Sequence, residues 1–154
     1  MTTPSEGAGQ LPAETVDAVQ KALGTEHAAI WIYGLASAFL PPSAQSAVTE
    51  GMTAHRARRD ATERLLRDGG ATPAPGAPAY LPPSPVTDAT SAAAVLAAAE
   101  TDTSVAWRGV LERTDDPNVR RAAMAALTSS AVRAVRWRRR AGQSPAVQQF
   151  PGRP

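Results

Sequence analysis

Residues 69–86 read GGATPAPGAPAYLPPSPV, and this stretch decides how the rest of the chain can fold. Its prolines and glycines exclude a helix, and it lacks the alternation of apolar and polar residues that indicates a strand. An extended proline-rich connection of roughly 17 residues reaches about 50 Å. A helix of about 26 residues is about 39 Å long, so this connection can cross the full length of a helical bundle.

Two helices are predicted before this connection. Helix 1 begins at Pro12, which suits a first helical turn, and runs to about Leu40. Pro41-Pro42 stops it, and Ser43 is expected to cap helix 2. Helix 2 continues to the stop signal Gly69-Gly70. The connection between these two helices is short, so they form an antiparallel hairpin.

Two further helices are predicted after the connection. Helix 3 is capped by Thr87 or Asp88 and runs to about Thr114. Asp116-Pro117 is a strong start signal for helix 4, because an N-cap aspartate precedes a proline at the first helical position. Helix 4 ends near Gly142. These helices form a second hairpin.

The predicted fold class is all-α, a ferritin-like four-helix bundle of two helical hairpins joined by a long crossover. The crossover lets helix 3 run parallel to helix 2. The alternative is a flexible linker between two separate hairpins, but neither hairpin alone could cover its apolar residues. We expect a disordered leader over 1–11, one bundle domain over 12–142 with its crossover at 69–86, and a tail over 143–154.

Composition narrows the possible functions. The 154 residues are 43% hydrophobic, but only 5% are aromatic and none is cysteine. Disulfides and thiolate metal sites are therefore excluded. The net charge of +2, the polar N-terminus and the absence of a run of about 20 apolar residues predict a cytoplasmic protein without a membrane anchor. The basic residues are arginine except for Lys21, which is typical of a high-GC genome.

Ionisable residues interrupt the apolar seams of three helices. Glu26, His55 and Glu100 fall where a step of three and four residues places leucine or valine elsewhere. At 1.5 Å per residue, Glu26 lies about 21 Å from the turn between helices 1 and 2, and His55 and Glu100 about 18 Å from that end. Arg133 of helix 4 comes to nearly the same height. The spacing therefore predicts one shared polar layer.

Arginine can neutralise this layer. Arg59 lies one turn beyond His55 on the same predicted face, and Arg133 lies opposite on helix 4. With Glu26 and Glu100 these two side chains sum to zero formal charge. We predict an inner polar network of Glu26, His55, Arg59, Glu100 and Arg133, with no catalytic residue.

Several segments resemble a bacterial ferritin-like domain family of unknown function. They are ALGTEHAAIWIYG, HRARRDATERLL, AYLPPSPV, AAAETDTSVAWRGVL and AVRAVRWR, and the resemblance covers about residues 13–142. Ferritin-like bundles hold two metal ions with one glutamate from each of two helices and Glu-x-x-His from each of the other two. Here Glu26, His55 and Glu100 match that pattern, but Met52 replaces one glutamate. Helix 4 has Ser130 and Arg133 in place of the second motif.

We therefore expect a non-catalytic protein with a degenerate di-metal site and no cofactor. The alternative is a metal-binding protein or an oxidoreductase that holds a single iron, manganese or zinc ion through Glu26, His55 and Glu100. A second alternative is an accessory protein that binds RNA or another polyanion through the end of helix 4. That end carries four clustered arginines, Arg136, Arg138, Arg139 and Arg140. Alanine-rich helix faces leave a homodimer possible.

Overall fold

A computed structural model describes residues 9–154 as a bundle of four helices. They are α1 (Ala13–Ser37), α2 (Gln45–Asp68), α3 (Ala89–Leu111) and α4 (Pro117–Arg140). The first eight residues of the predicted leader lie outside the described part. Across residues 9–154 there is no strand, and no helix is both long and apolar enough to cross a membrane. The predicted all-α four-helix bundle is confirmed.

The start signals of the second hairpin act as predicted. Asp88 caps α3 by accepting a hydrogen bond from the backbone N–H of Ser91, whose hydroxyl in turn accepts from the backbone N–H of Asp88. Asp116 caps α4 by accepting from the backbone N–H groups of Asn118 and Val119. Each cap satisfies donors that an uncapped helix would leave without partners.

The first hairpin differs from the prediction at its turn. Helix α1 ends at Ser37 rather than Leu40, and α2 begins at Gln45. Between them, Pro42–Ala44 form a short 3-10 turn, so Ser43 does not cap α2. The physical reason is that Pro42 fixes its own φ within the turn, which places Ser43 inside a helical turn instead of before one.

Two clusters of buried side chains fix the direction of each helix. One cluster joins the end of α1, the start of α2, the start of α3 and the end of α4, through residues such as Tyr33, Val48, Leu96 and Trp137. The other joins the opposite ends of the same four helices. Helices α2 and α3 therefore run parallel to each other and antiparallel to α1 and α4. The chain between α2 and α3 crosses the full bundle, as the proline-rich stretch predicts.

The crossover is attached to α1 along its path. Gly70 adopts a positive φ of 84° after the end of α2, and the backbone N–H of Ala71 then bonds the carbonyl of Leu66. Further along, the Gln20 side chain donates to the carbonyl of Thr72 and accepts from the N–H of Ala74. This polar attachment holds a segment that has no regular structure against the bundle.

Both chain ends within the described residues pack on the bundle. Leu11, the last residue of the predicted leader, donates its N–H to the carbonyl of Gly69 and lies against the apolar cluster. In the predicted tail, Gly152 is buried, and a side chain there would meet Leu127 and the carbonyl of Ser104. The tail thus lies against α3 and α4.

Candidate functional site

The mid-bundle layer contains a buried chain of hydrogen bonds from α1 through α2 to α3. The Nδ1 atom of His55 lies 2.6 Å from Oε2 of Glu26, and its Nε2 atom lies 2.9 Å from Oε1 of Glu100. All three side chains have no exposed surface. A histidine placed between two carboxylates in this way is held by both of its ring nitrogens.

Glu100 is the centre of the layer. Besides His55, its Oε1 atom accepts a hydrogen bond from the Tyr33 hydroxyl at 2.6 Å and one from Nε of Arg133 at 2.9 Å. The Nη1 atom of Arg133 donates to the Ser129 hydroxyl at 2.6 Å. One carboxylate oxygen therefore receives donors from three helices, α1, α2 and α4.

Two tryptophans supply further donors to this layer. The indole N–H of Trp107 donates to Oε1 of Glu26 at 2.8 Å, and that of Trp137 donates to the Tyr33 hydroxyl at 2.8 Å. Both indoles are almost fully buried, so each N–H needs a partner in the protein. The tryptophans thus fill the two apolar clusters and also orient the acceptors between them.

The structure brings together Glu26, His55, Glu100 and Arg133, but the position predicted for Arg59 must be corrected. The Nε atom of Arg59 donates to Asp60 near the surface. Arg58 faces the layer instead, with Nη1 at 3.6 Å from Oε1 of Glu26 and 3.4 Å from the Ser130 hydroxyl. Adjacent helical residues differ by about 100° in direction, so a small rotation of α2 decides which arginine faces inward.

The charges set the protonation of the layer. Burial alone would lower the pKa of His55, but hydrogen bonds to Glu100 and Glu26 outweigh it and raise that pKa. Burial alone would raise the pKa of Glu100, but His55, Arg133 and Tyr33 together lower it to about 2. Burial and the nearby Glu100 raise the pKa of Tyr33, which therefore stays a hydrogen-bond donor.

The layer carries one net positive charge after its carboxylates are paired with its cations. The two short contacts of His55 each need a hydrogen atom between nitrogen and oxygen, so His55 is an imidazolium or one carboxyl is protonated. The net charge is the same in both cases. With His55 counted as the imidazolium, the carboxylates of Glu26 and Glu100 face three cations, His55, Arg58 and Arg133.

Two buried polar atoms of the layer lack protein partners. Within residues 9–154, neither Oε2 of Glu100 nor Nη2 of Arg133 has a hydrogen-bond partner. One is an acceptor on α3 and the other a donor on α4. Groups of this kind are uncommon in a folded interior.

The arginines at the end of α4 do not form one exposed patch. Arg138 is buried and bonds Thr101 and the carbonyl of Ala146. Arg136 pairs with Glu50 at 3.1 Å, and Arg140 donates to the carbonyl of Ser43. Arg139 is exposed. Most of this basic segment therefore attaches α4 to α2, α3, the tail and the turn between α1 and α2.

Sequence reasoning missed several residues of the layer. Helical periodicity alone places Tyr33 and Trp107 at apolar positions, although each lies seven residues after Glu26 or Glu100. Their hydroxyl and N–H groups were the available signal, since buried tyrosine and tryptophan usually find hydrogen-bond partners. Ser129 carried no comparable signal.

Comparison with known proteins gives a family and a fold. Residues 18–154 match the family described as a domain of unknown function (DUF4439). The chain is similar to the crystal structure of a conserved hypothetical protein, rv2844, from Mycobacterium tuberculosis, with 37% sequence identity and a TM-score of 0.82. The match covers 90% of this chain and 98% of that one. Among curated proteins, none matches this sequence.

Proposed function

The chain belongs to the DUF4439 family, and we propose that it is a non-catalytic, ferritin-like bundle protein in which a buried charge network replaces the di-metal centre. The network comprises Glu26, His55, Glu100 and Arg133, with Arg58 at its edge. The observation that carries the proposal is the engagement of both ring nitrogens of His55 by carboxylates. The one long crossover and the position of the layer support the ferritin-like comparison.

The donor set does not fit a metal centre. A metal ligand histidine uses the lone pair of one ring nitrogen, but both nitrogens of His55 lie within hydrogen-bond distance of carboxylate oxygens. The Nε atom of Arg133 lies 2.9 Å from the same Glu100 oxygen. A guanidinium at that position repels a divalent cation and occupies a lone pair that a metal would need. These contacts argue against the single-metal alternative with Glu26, His55 and Glu100.

The positions where further ligands would be needed carry no carboxylate. Met52, three residues before His55, is a half-buried thioether, and Ser130 is a buried hydroxyl. Their counterparts in the di-metal pattern are glutamates, and the counterpart of Arg133 is a histidine. The layer thus has too few oxygen ligands for two ions and an added cation in their place.

Metal content tests the proposal. The full chain is purified without chelator, and iron, manganese and zinc are measured by mass spectrometry before and after incubation with each ion. We expect far less than one ion per chain. We also expect no rise in Tm on adding metal, whereas an ion that binds only the native state would raise Tm.

A restored site provides the positive control. The triple variant Met52→Glu, Ser130→Glu, Arg133→His supplies the missing members of the di-metal pattern, and it should gain metal under the same conditions. A stoichiometric ion in the natural sequence that disappears in both Glu26→Ala and His55→Ala would instead establish the single-metal alternative.

A further inference from the structure

A cleft opens beside the charge network, where α2 lies away from α4. It has a volume of about 640 Å³ and runs along α4 next to Glu50 of α2. Arg133 and Ser129 contribute to its wall. Met124 and Val132 also line it, and they are 52% and 49% exposed. The cleft therefore joins a buried guanidinium to exposed apolar side chains.

The network next to this cleft has one uncompensated positive charge. Glu26 and Glu100 together balance only two of the three cations at His55, Arg58 and Arg133. A buried charge without a counter-charge is costly. One negative charge placed in the cleft would make the layer neutral.

Arg133 is held in one orientation where it lines the cleft. Its Nε bonds Glu100 and its Nη1 bonds Ser129, but Nη2 has no hydrogen-bond partner among residues 9–154. The Arg133 side chain is only 7% exposed, so its orientation is fixed by these bonds. Nη2 itself has almost no accessible surface. A carboxylate in the cleft therefore pairs with the part of the guanidinium that stays exposed, and a planar guanidinium held in one orientation suits a carboxylate.

The rim of the cleft does not oppose an anion. Its carboxylate, Glu50, is already paired with Arg136 at 3.1 Å, and Arg121 adds another cation to the lining. An anion that enters therefore meets a rim with more positive than negative charge, and its apolar part can cover Met124 and Val132.

We propose that this cleft binds a small monocarboxylate with an apolar chain. Its carboxylate pairs with the charge of the Arg133 guanidinium, and its chain lies against Met124 and Val132. The proposal rests on the charge network of the proposed function, but it concerns a ligand site that the proposed function does not contain.

Binding of hexanoate tests this site. Titration calorimetry is carried out on the metal-free full chain with hexanoate, hexanol and hexylammonium at constant ionic strength. We expect saturable binding of hexanoate only, because it alone supplies both the charge and the apolar chain.

A charge on the cleft wall provides the matched pair of variants. Met124 is exposed and lies outside the network, so Met124→Glu and Met124→Gln should both fold. Met124→Gln should weaken hexanoate binding about threefold because it removes apolar contact with the chain, and Met124→Glu should weaken it about tenfold further through repulsion.

Absence of hexanoate binding, equal binding of hexanol, or equal affinities of the two Met124 variants would each overturn the ligand site. None of these results would imply that the charge network binds a metal ion. A stoichiometric metal ion would contradict the proposed function by a separate measurement.

Discussion

Two sides of the bundle, α1 with α3 and α2 with α4, carry opposite charges into its centre and pack differently. Helices α1 and α3 lie close together along their length, and they supply the carboxylates Glu26 and Glu100. Helices α2 and α4 touch little, and they supply His55, Arg58 and Arg133. Alanines at buried positions of α1 and α3 allow their close approach, whereas long guanidinium side chains span the wider gap.

This difference shows how the layer is assembled. Short carboxylates need closely packed helices to reach the centre, and arginines need space between helices. The gap between α2 and α4 is therefore part of the same arrangement that neutralises the carboxylates. It leaves two clefts that are lined by residues of α2 and α4.

The largest expected effect comes from removing Glu100, the central carboxylate on the α1 and α3 side. Glu100→Ala leaves His55 and Arg133 buried without their shared acceptor. We expect the free energy of unfolding to fall by about 3–5 kcal/mol, measured by urea denaturation at neutral pH. The control is Glu112→Ala at the end of α3, where the side chain is 57% exposed, and it should cost less than about 1 kcal/mol. A loss in Glu100→Ala as small as the loss in Glu112→Ala would show that the layer contributes little to stability.

The position of this layer was predictable from the sequence because it depends on the number of residues between each side chain and the end of its helix. Rise per residue and the crossover direction place Glu26, His55, Glu100 and Arg133 at one height, and the structure puts them within hydrogen-bond distance. The crossover was equally accessible, since proline and glycine exclude helix and the segment length sets its reach.

The lateral packing was not predictable in this way. The choice between Arg58 and Arg59 depends on the rotation of α2 about its axis, which packing against α1 sets. The distance between α2 and α4 likewise depends on side chains from all four helices. Periodicity within one helix determines which face is apolar, but it does not determine how far away the neighbouring helix lies.

Acid and alkali should weaken the two sides through different groups. The pKa of Glu100 falls from 4.5 to about 2 in the folded protein, so its contribution is present above pH 4.5 and is lost as pH falls through about 2. The pKa of His55, which faces Glu26, Tyr33 and Glu100, rises above 6.5. Its contribution is present below pH 6.5 and is lost as pH rises through the folded value.

The free energy of unfolding should therefore be greatest between these two limits, and the loss on the acid side should be on the order of 2 kcal/mol. Urea denaturation over a range of pH measures both sides. Glu100→Gln should flatten the acid side, and His55→Gln should flatten the alkaline side. Profiles that keep their natural shape in these variants would assign the pH dependence to groups outside the layer.

The smallest expected effect concerns the contact between the two sides at Gly51. A side chain at this position of α2 would overlap the Tyr33 ring, which donates its hydroxyl hydrogen to Glu100. We expect Gly51→Ala to displace Tyr33 or α2 and to lower the free energy of unfolding by about 1–3 kcal/mol. Gly24 is the matched control, because it lies within α1 and an added side chain meets open space. Gly24→Ala should stabilise the protein by about 0.5–1 kcal/mol, since alanine favours helix more than glycine does. Opposite signs in the two variants would show that Gly51 is needed for the close approach of the Tyr33 ring, whereas a gain in both would mean that Tyr33 can move without loss.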